Sequence, residues 1–142
     1  MPRTVSGRRQ PRIMPSGRAE EERPFVHDEI VRGIGARRVK ALIGRGVLTA
    51  KDVYRVVPQR TFNRRLANAE PLKPAEADGI ARLLRIIEMA RRVFGDAAFA
   101  QQWLNLPNPV LKERVPIELA ETDAGAREVE GALLHFAYGD YV

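Results

Sequence analysis

Residues 74–94 carry the longest amphipathic pattern in the chain, and it constrains the fold more than any other feature. Ile80, Leu83, Leu84, Ile87, Ala90 and Phe94 recur at helical spacing, while Arg82, Arg85, Glu88, Arg91 and Arg92 fall off that stripe. The pattern predicts one helix from about Pro74 to Phe94, roughly 30 Å long at ~1.5 Å per residue. Proline suits a first helical turn and glycine a helix end, so Pro74 and Gly95 mark its limits. No segment alternates apolar and polar residues with period 2, and the chain reads as all-α.

Shorter helical patterns flank this one. From Phe25 onward, Ile30, Val31, Ile34, Val39, Leu42 and Ile43 keep helical spacing, weakened at Gly33 and Gly35 and ended by Gly44 and Gly46. Thr49 can cap a short helix with Asp52 in its first turn and Val53, Val56 and Val57 facing inward. Pro58 separates it from residues 59–67, where Phe62 and Leu66 lie one turn apart on one face. Beyond Gly95, Asp96 can cap a helix through Leu104 that carries Phe99 and Trp103 at i and i+4. Pro107 and Pro109 impose an extended turn, and Pro116 opens a short helix. Thr122 caps a last helix, with Ala126, Val129, Leu133 and Phe136 inward and Gly139 at its end. Residues 1–24, with four Pro, two Gly and no aromatic residue, are expected to form a disordered basic tail.

Composition removes several function classes. A length of 142 residues fits one domain, or two small ones sharing a core. The absence of cysteine excludes disulfides, thiolate metal sites and a thiol nucleophile. His27 and His135 stand far apart without acidic neighbours at ligand spacing, so neither a metal nor another cofactor is expected. Gly33-Ile34-Gly35 is a fragment of a phosphate-loop pattern that lacks a preceding strand, and no Ser-His-Asp set stands out. The chain is not expected to be an enzyme. No apolar run reaches the ~18 residues a membrane span needs. Arg3, Arg8, Arg9 and Arg12 have no apolar segment behind them, so a cytoplasmic protein is expected.

Charge is placed unevenly. Residues 25–70 hold ten Lys or Arg against four acids, whereas residues 71–142 hold eight against eleven. A basic front half joined to an acidic back half suggests two partners for two surfaces, with a polyanion on the basic one. Two short helices meeting at Pro58 have the size and order of a helix-turn-helix. With Phe62 and Leu66 on the buried face, Arg60 and Arg64 point away from the core. Thr61 and Asn63 flank them, and Gln59 projects from the N-terminal end. Arg pairs bidentately with guanine and Gln or Asn with adenine, so this set suits a major groove. Arg65, Arg55, Lys51 and Arg45 are expected to reach phosphates. The competing reading is a core helix whose outer face is merely polar. Against it, the stretch from Arg55 to Arg65 has four Arg and no acid.

Further along, the residues carry a family resemblance. The matching elements are VFGD at 93–96, Trp103-Leu104, the PNPVL corner at 107–111 and Pro-Ile-Glu-Leu at 116–119. TDAGAREVEGALL at 122–134 and Tyr138-Gly139 complete the set. Residues 80–142 resemble the toxin-binding domain of the Xre/MbcA/ParS antitoxins, and residues 25–70 resemble the Xre-like helix-turn-helix that precedes it. The resemblance implies a helix-turn-helix domain for DNA binding and dimerisation over residues 25–79 and a toxin-binding domain over 80–142, joined through the long helix. It implies a type II antitoxin acting as a homodimer, with operator DNA and a RES-domain, NAD-depleting toxin as partners. Tyr138, Gly139, Asp140, Tyr141 and Val142 become the segment that blocks the toxin's active site, and Arg127, Glu130 and His135 its supporting face. Two places depart from the family pattern. Lys112-Glu113 stand where glycine is usual, and His135-Phe136-Ala137 precede Tyr138 where Arg-Ile is common. The alternatives are a stand-alone Xre-type transcriptional regulator and an adaptor for a non-toxic protein.

Overall fold

The computed structural model describes residues 25–139, and every regular element within them is a helix. The expected tail at 1–24 and the last three residues, Asp140 to Val142, lie outside the described residues. In chain order the helices are α1 (His27–Arg32), α2 (Ala36–Gly44), α3 (Ala50–Val56) and α4 (Gln59–Ala67). They continue with α5 (Pro74–Phe94), α6 (Ala97–Leu104), a 3₁₀ turn (Pro109–Leu111), α7 (Pro116–Leu119) and α8 (Asp123–Tyr138).

The long helix spans the stretch its stripe predicts. Pro74 occupies the first turn, the Glu76 carboxylate accepts from the Lys73 N–H at 2.9 Å, and Gly95 closes the other end at φ 69°. Its buried face is wider than the stripe, adding Ala77, Gly79 and Ile86 to Ile80, Leu83, Leu84, Ile87 and Ala90. The width has a direct cause: α5 packs against α1 and α3 as well as α6 and α8. One apolar cluster therefore runs through the molecule, with Leu42, Val53 and Val57 from the front half and Leu104, Ile117 and Leu133 from the back. The expected limit between the front domain (25–79) and the toxin-binding domain (80–142) falls inside this helix. There Gly79 lets α3 approach closely, because a Cβ on it would sit 2.7 Å from Val56 Cγ1.

Elsewhere the structure sharpens or corrects the sequence reading. The pattern from Phe25 to Ile43 is two helices, because Gly33 takes φ 105° and breaks the run. The segment after the break meets the approach to α5, where the Leu72 N–H donates to the Ile34 carbonyl at 2.7 Å. Asp96 and Thr122 cap α6 and α8 as expected, through the N–H groups of Ala98 and Phe99 and of Gly125. Phe136, expected inward, is 46% exposed. It lies beyond the last buried turn of α8, which ends at Leu133.

Two features shape the back half. After the 3₁₀ turn, Lys112 and Glu113 take φ 57° and 63°, so the two residues standing where the resembled family has glycine are both left-handed. Gly125 packs its backbone on α7, since a Cβ there would lie 1.9 Å from the Leu119 carbonyl oxygen.

Candidate functional site

Two surfaces gather the residues singled out by the sequence. On α4, Gln59, Arg60, Asn63 and Arg64 are exposed and Thr61 is half-buried, while Phe62 enters the core with its ring edge toward Tyr54. Lys51 is exposed on α3. Arg60, Arg64 and Lys51 form no ion pair with a described residue, so their charge faces solvent. Only Val57 and Pro58 separate α3 from α4, which holds the two helices in one rigid corner.

Two arginines expected at phosphates point elsewhere. Arg65 is 5% exposed and ion-paired with Glu76 at the start of α5. The reason is its register: three residues beyond Phe62, it falls on the buried side of α4 rather than the outer one. Arg55 turns toward α7, with Nη1 3.5 Å from a Glu121 carboxylate oxygen and 3.8 Å from one of Glu118. Both arginines join helices within the protein.

The second surface runs along α8, from Arg127 near its start to Gly139 at its far end. Arg127 is exposed and pairs with Asp123 one turn earlier at 3.1 Å. Glu130 accepts from Arg85 Nε at 2.7 Å and so ties α8 to α5. His135 is exposed, its ring edge-on to Phe136. Every residue from Leu134 to Gly139 is exposed, Tyr138 to 74%, so the last turn and more of α8 stands clear of the core. Gly139 takes φ 68° and ends the helix. Asp140, Tyr141 and Val142 lie outside the described residues.

Beside this helix end lies a feature the sequence reading missed. Phe94, Phe99, Trp103 and Phe136, from three helices, form one ring cluster. Phe94 lies 5.0 Å from Phe99, 5.4 Å from Trp103 and 5.7 Å from Phe136, centroid to centroid, and Trp103 lies 5.9 Å from Phe136. Phe99 is 51% exposed. The i, i+4 spacing of Phe99 and Trp103 was a visible signal, but their joining to Phe136 through Phe94 needs the packing of α6 on α5 and of α5 on α8. Among the described residues, no group of three or more His, Asp or Glu is placed to hold a metal ion. Nor is any helix among them long and apolar enough to cross a membrane.

Known proteins match both halves. Residues 89–139 match the family model described as the antitoxin Xre/MbcA/ParS C-terminal toxin-binding domain, a span that contains all four clustered rings and the exposed end of α8. Over 114 residues the chain is 34% identical to an antitoxin Xre of Pseudomonas putida, covering 80% of this chain and 72% of that protein. That stretch is longer than the matched toxin-binding domain, so the similarity extends well into the front half. An antitoxin Xre of Yersinia enterocolitica is 36% identical over 74 residues, 51% of this chain and 50% of that protein. A 6-hydroxy-3-succinoylpyridine 3-monooxygenase of Pseudomonas putida is 36% identical over 88 residues, which cover 61% of this chain but only 26% of the enzyme. The all-helical fold, the exposed end of α8 within the toxin-binding span and these relatives converge: the chain belongs to the Xre/MbcA/ParS family of antitoxins, proteins of toxin–antitoxin systems.

Proposed function

We propose that this antitoxin neutralises a RES-domain, NAD-depleting toxin by direct binding, and that as a homodimer in the cytoplasm it represses its own operon. The toxin would be met by the end of α8, with Tyr138, Gly139, Asp140, Tyr141 and Val142 entering its active site. His135 adjoins that segment, Arg127 lies on the same helix about 16 Å earlier along its axis, and Glu130, held by Arg85, ties α8 to α5.

The observation that carries this reading is the exposed run from Leu134 to Gly139, which lies inside the toxin-binding span and holds no buried residue. An aromatic residue as exposed as Tyr138 gives a partner a large rigid contact area at low entropic cost. Asp140 adds an anionic group, the chemistry a pocket for a pyrophosphate-bearing substrate accepts. For repression, the support is the set Gln59, Arg60, Asn63 and Arg64 on the outer side of α4, with Thr61 beside them and Lys51 available for a phosphate. Arg65 belongs to the core of that unit and not to its reading face.

Growth rescue tests the proposal. The toxin gene is expressed alone, with the full chain, and with the chain ending at Ala137, while intracellular NAD is followed. Loss of growth and NAD that only the full chain reverses is the expected result. If the truncated chain rescues equally, the tail does not block the toxin.

A further inference from the structure

We infer that binding and inhibition reside in different parts of the C-terminal surface, with the Phe94–Phe99–Trp103–Phe136 ring cluster as the anchor that gives affinity for the toxin. The segment after Ala137 then supplies the block. This rests on the proposed toxin-binding role of the same domain.

Phe94 sits at the centre of the cluster, touching Phe99, Trp103 and Phe136, and the four rings bring one apolar platform to the surface where Phe99 and Phe136 leave about half of their area in water. Phe94 and Trp103 pack against the core beneath, so folding accounts for them, whereas the exposed halves of Phe99 and Phe136 bury nothing in it. Rings held by neighbouring rings lose little freedom when a partner covers them, so such a platform favours a well-packed interface centre. Position commits the occupant. All four rings lie within residues 89–139, and Phe136 is two residues from Tyr138 on the same exposed helix end. A toxin that receives the tail therefore passes over the cluster. The matching toxin surface should be an apolar depression beside its active-site entrance. The polar residues around the platform, His135 and Asp96 among them, would form its rim.

The test uses the toxin separated from the natural complex by unfolding and refolded. Its affinity for the antitoxin and its NAD-consuming activity are measured side by side. Phe99→Ser with Phe136→Ser should weaken binding about 30-fold or more and shift inhibition to correspondingly higher antitoxin concentration, with the helical circular dichroism retained. Phe99→Arg alone, on the exposed face of α6, should show the same direction if the double variant does not fold. The chain ending at Ala137 should bind within a few-fold of the full chain yet leave the toxin active. Parental affinity in the folded double variant, or in Phe99→Arg, overturns the anchor while leaving the proposed neutralisation intact. So does a double variant that loses self-association but not toxin binding. Loss of binding by the truncated chain overturns the division of labour. A full chain that neither binds nor inhibits the toxin removes the underlying functional reading instead.

Discussion

Arg65, near the end of α4, is buried and ion-paired with Glu76 in the first turn of α5. The same Glu76 carboxylate accepts the Lys73 N–H, so one carboxylate fixes the start of the long helix and the end of the proposed reading helix together. Removing one member leaves the other charge partly buried without its partner. Arg65→Ala should lower unfolding stability by about 3 kcal/mol, and Arg65→Ala with Glu76→Ala by less than the sum of the two single losses. Urea titrations of the three variants check this. A loss below about 1 kcal/mol for Arg65→Ala would place the pair at the solvated surface instead.

Gly125 and Gly131 lie on the same helix and should respond oppositely to alanine. A Cβ at Gly125 meets the Leu119 carbonyl at 1.9 Å, whereas one at Gly131 meets nothing within 4 Å. Gly125→Ala is expected to destabilise by about 3 kcal/mol, because α7 must move off α8. Gly131→Ala should stabilise by about 0.5–1 kcal/mol through the lower entropy of the unfolded chain. Thermal unfolding of both variants decides the matter.

Glu113 holds a left-handed conformation at φ 63°, directly after Lys112 at 57°. A side chain there costs on the order of 1 kcal/mol that glycine would not. Glu113→Gly should therefore raise stability by about that amount. A decrease would mean that the Glu113 side chain contributes more than its backbone strain costs.

For the proposed operator contact, Arg60→Ala with Arg64→Ala should abolish sequence-specific DNA binding while the circular dichroism stays helical. Each of these residues is exposed and outside the core. Lys51→Ala should instead weaken binding to all sequences alike and reduce the salt dependence by about one counterion. Gel shifts at several salt concentrations separate the two effects. Undiminished specific binding by the folded double variant would take Arg60 and Arg64 out of the groove.

The sequence by itself determined the helical class, most helix limits and the caps. Pro74, Gly95, Asp96 and Thr122 act within one turn of where they stand, and amphipathic spacing is a property of the local helix. The family was equally legible, because its motifs are short, ordered and dense between 93 and 139. Tertiary structure decided which polar groups face water. Arg65 and Arg55 look like their exposed neighbours in sequence, but the register of α4 and the approach of α7 turn both into internal ties. It also decided that Phe136 leaves the core. An apolar stripe says which side of α8 faces inward, while only the length of the helices packed against it says where that side runs out of cover. The ring cluster exists for the same reason: its members are separated by up to 42 positions in sequence, and they meet where the end of α5 and the length of α6 come against the last turns of α8.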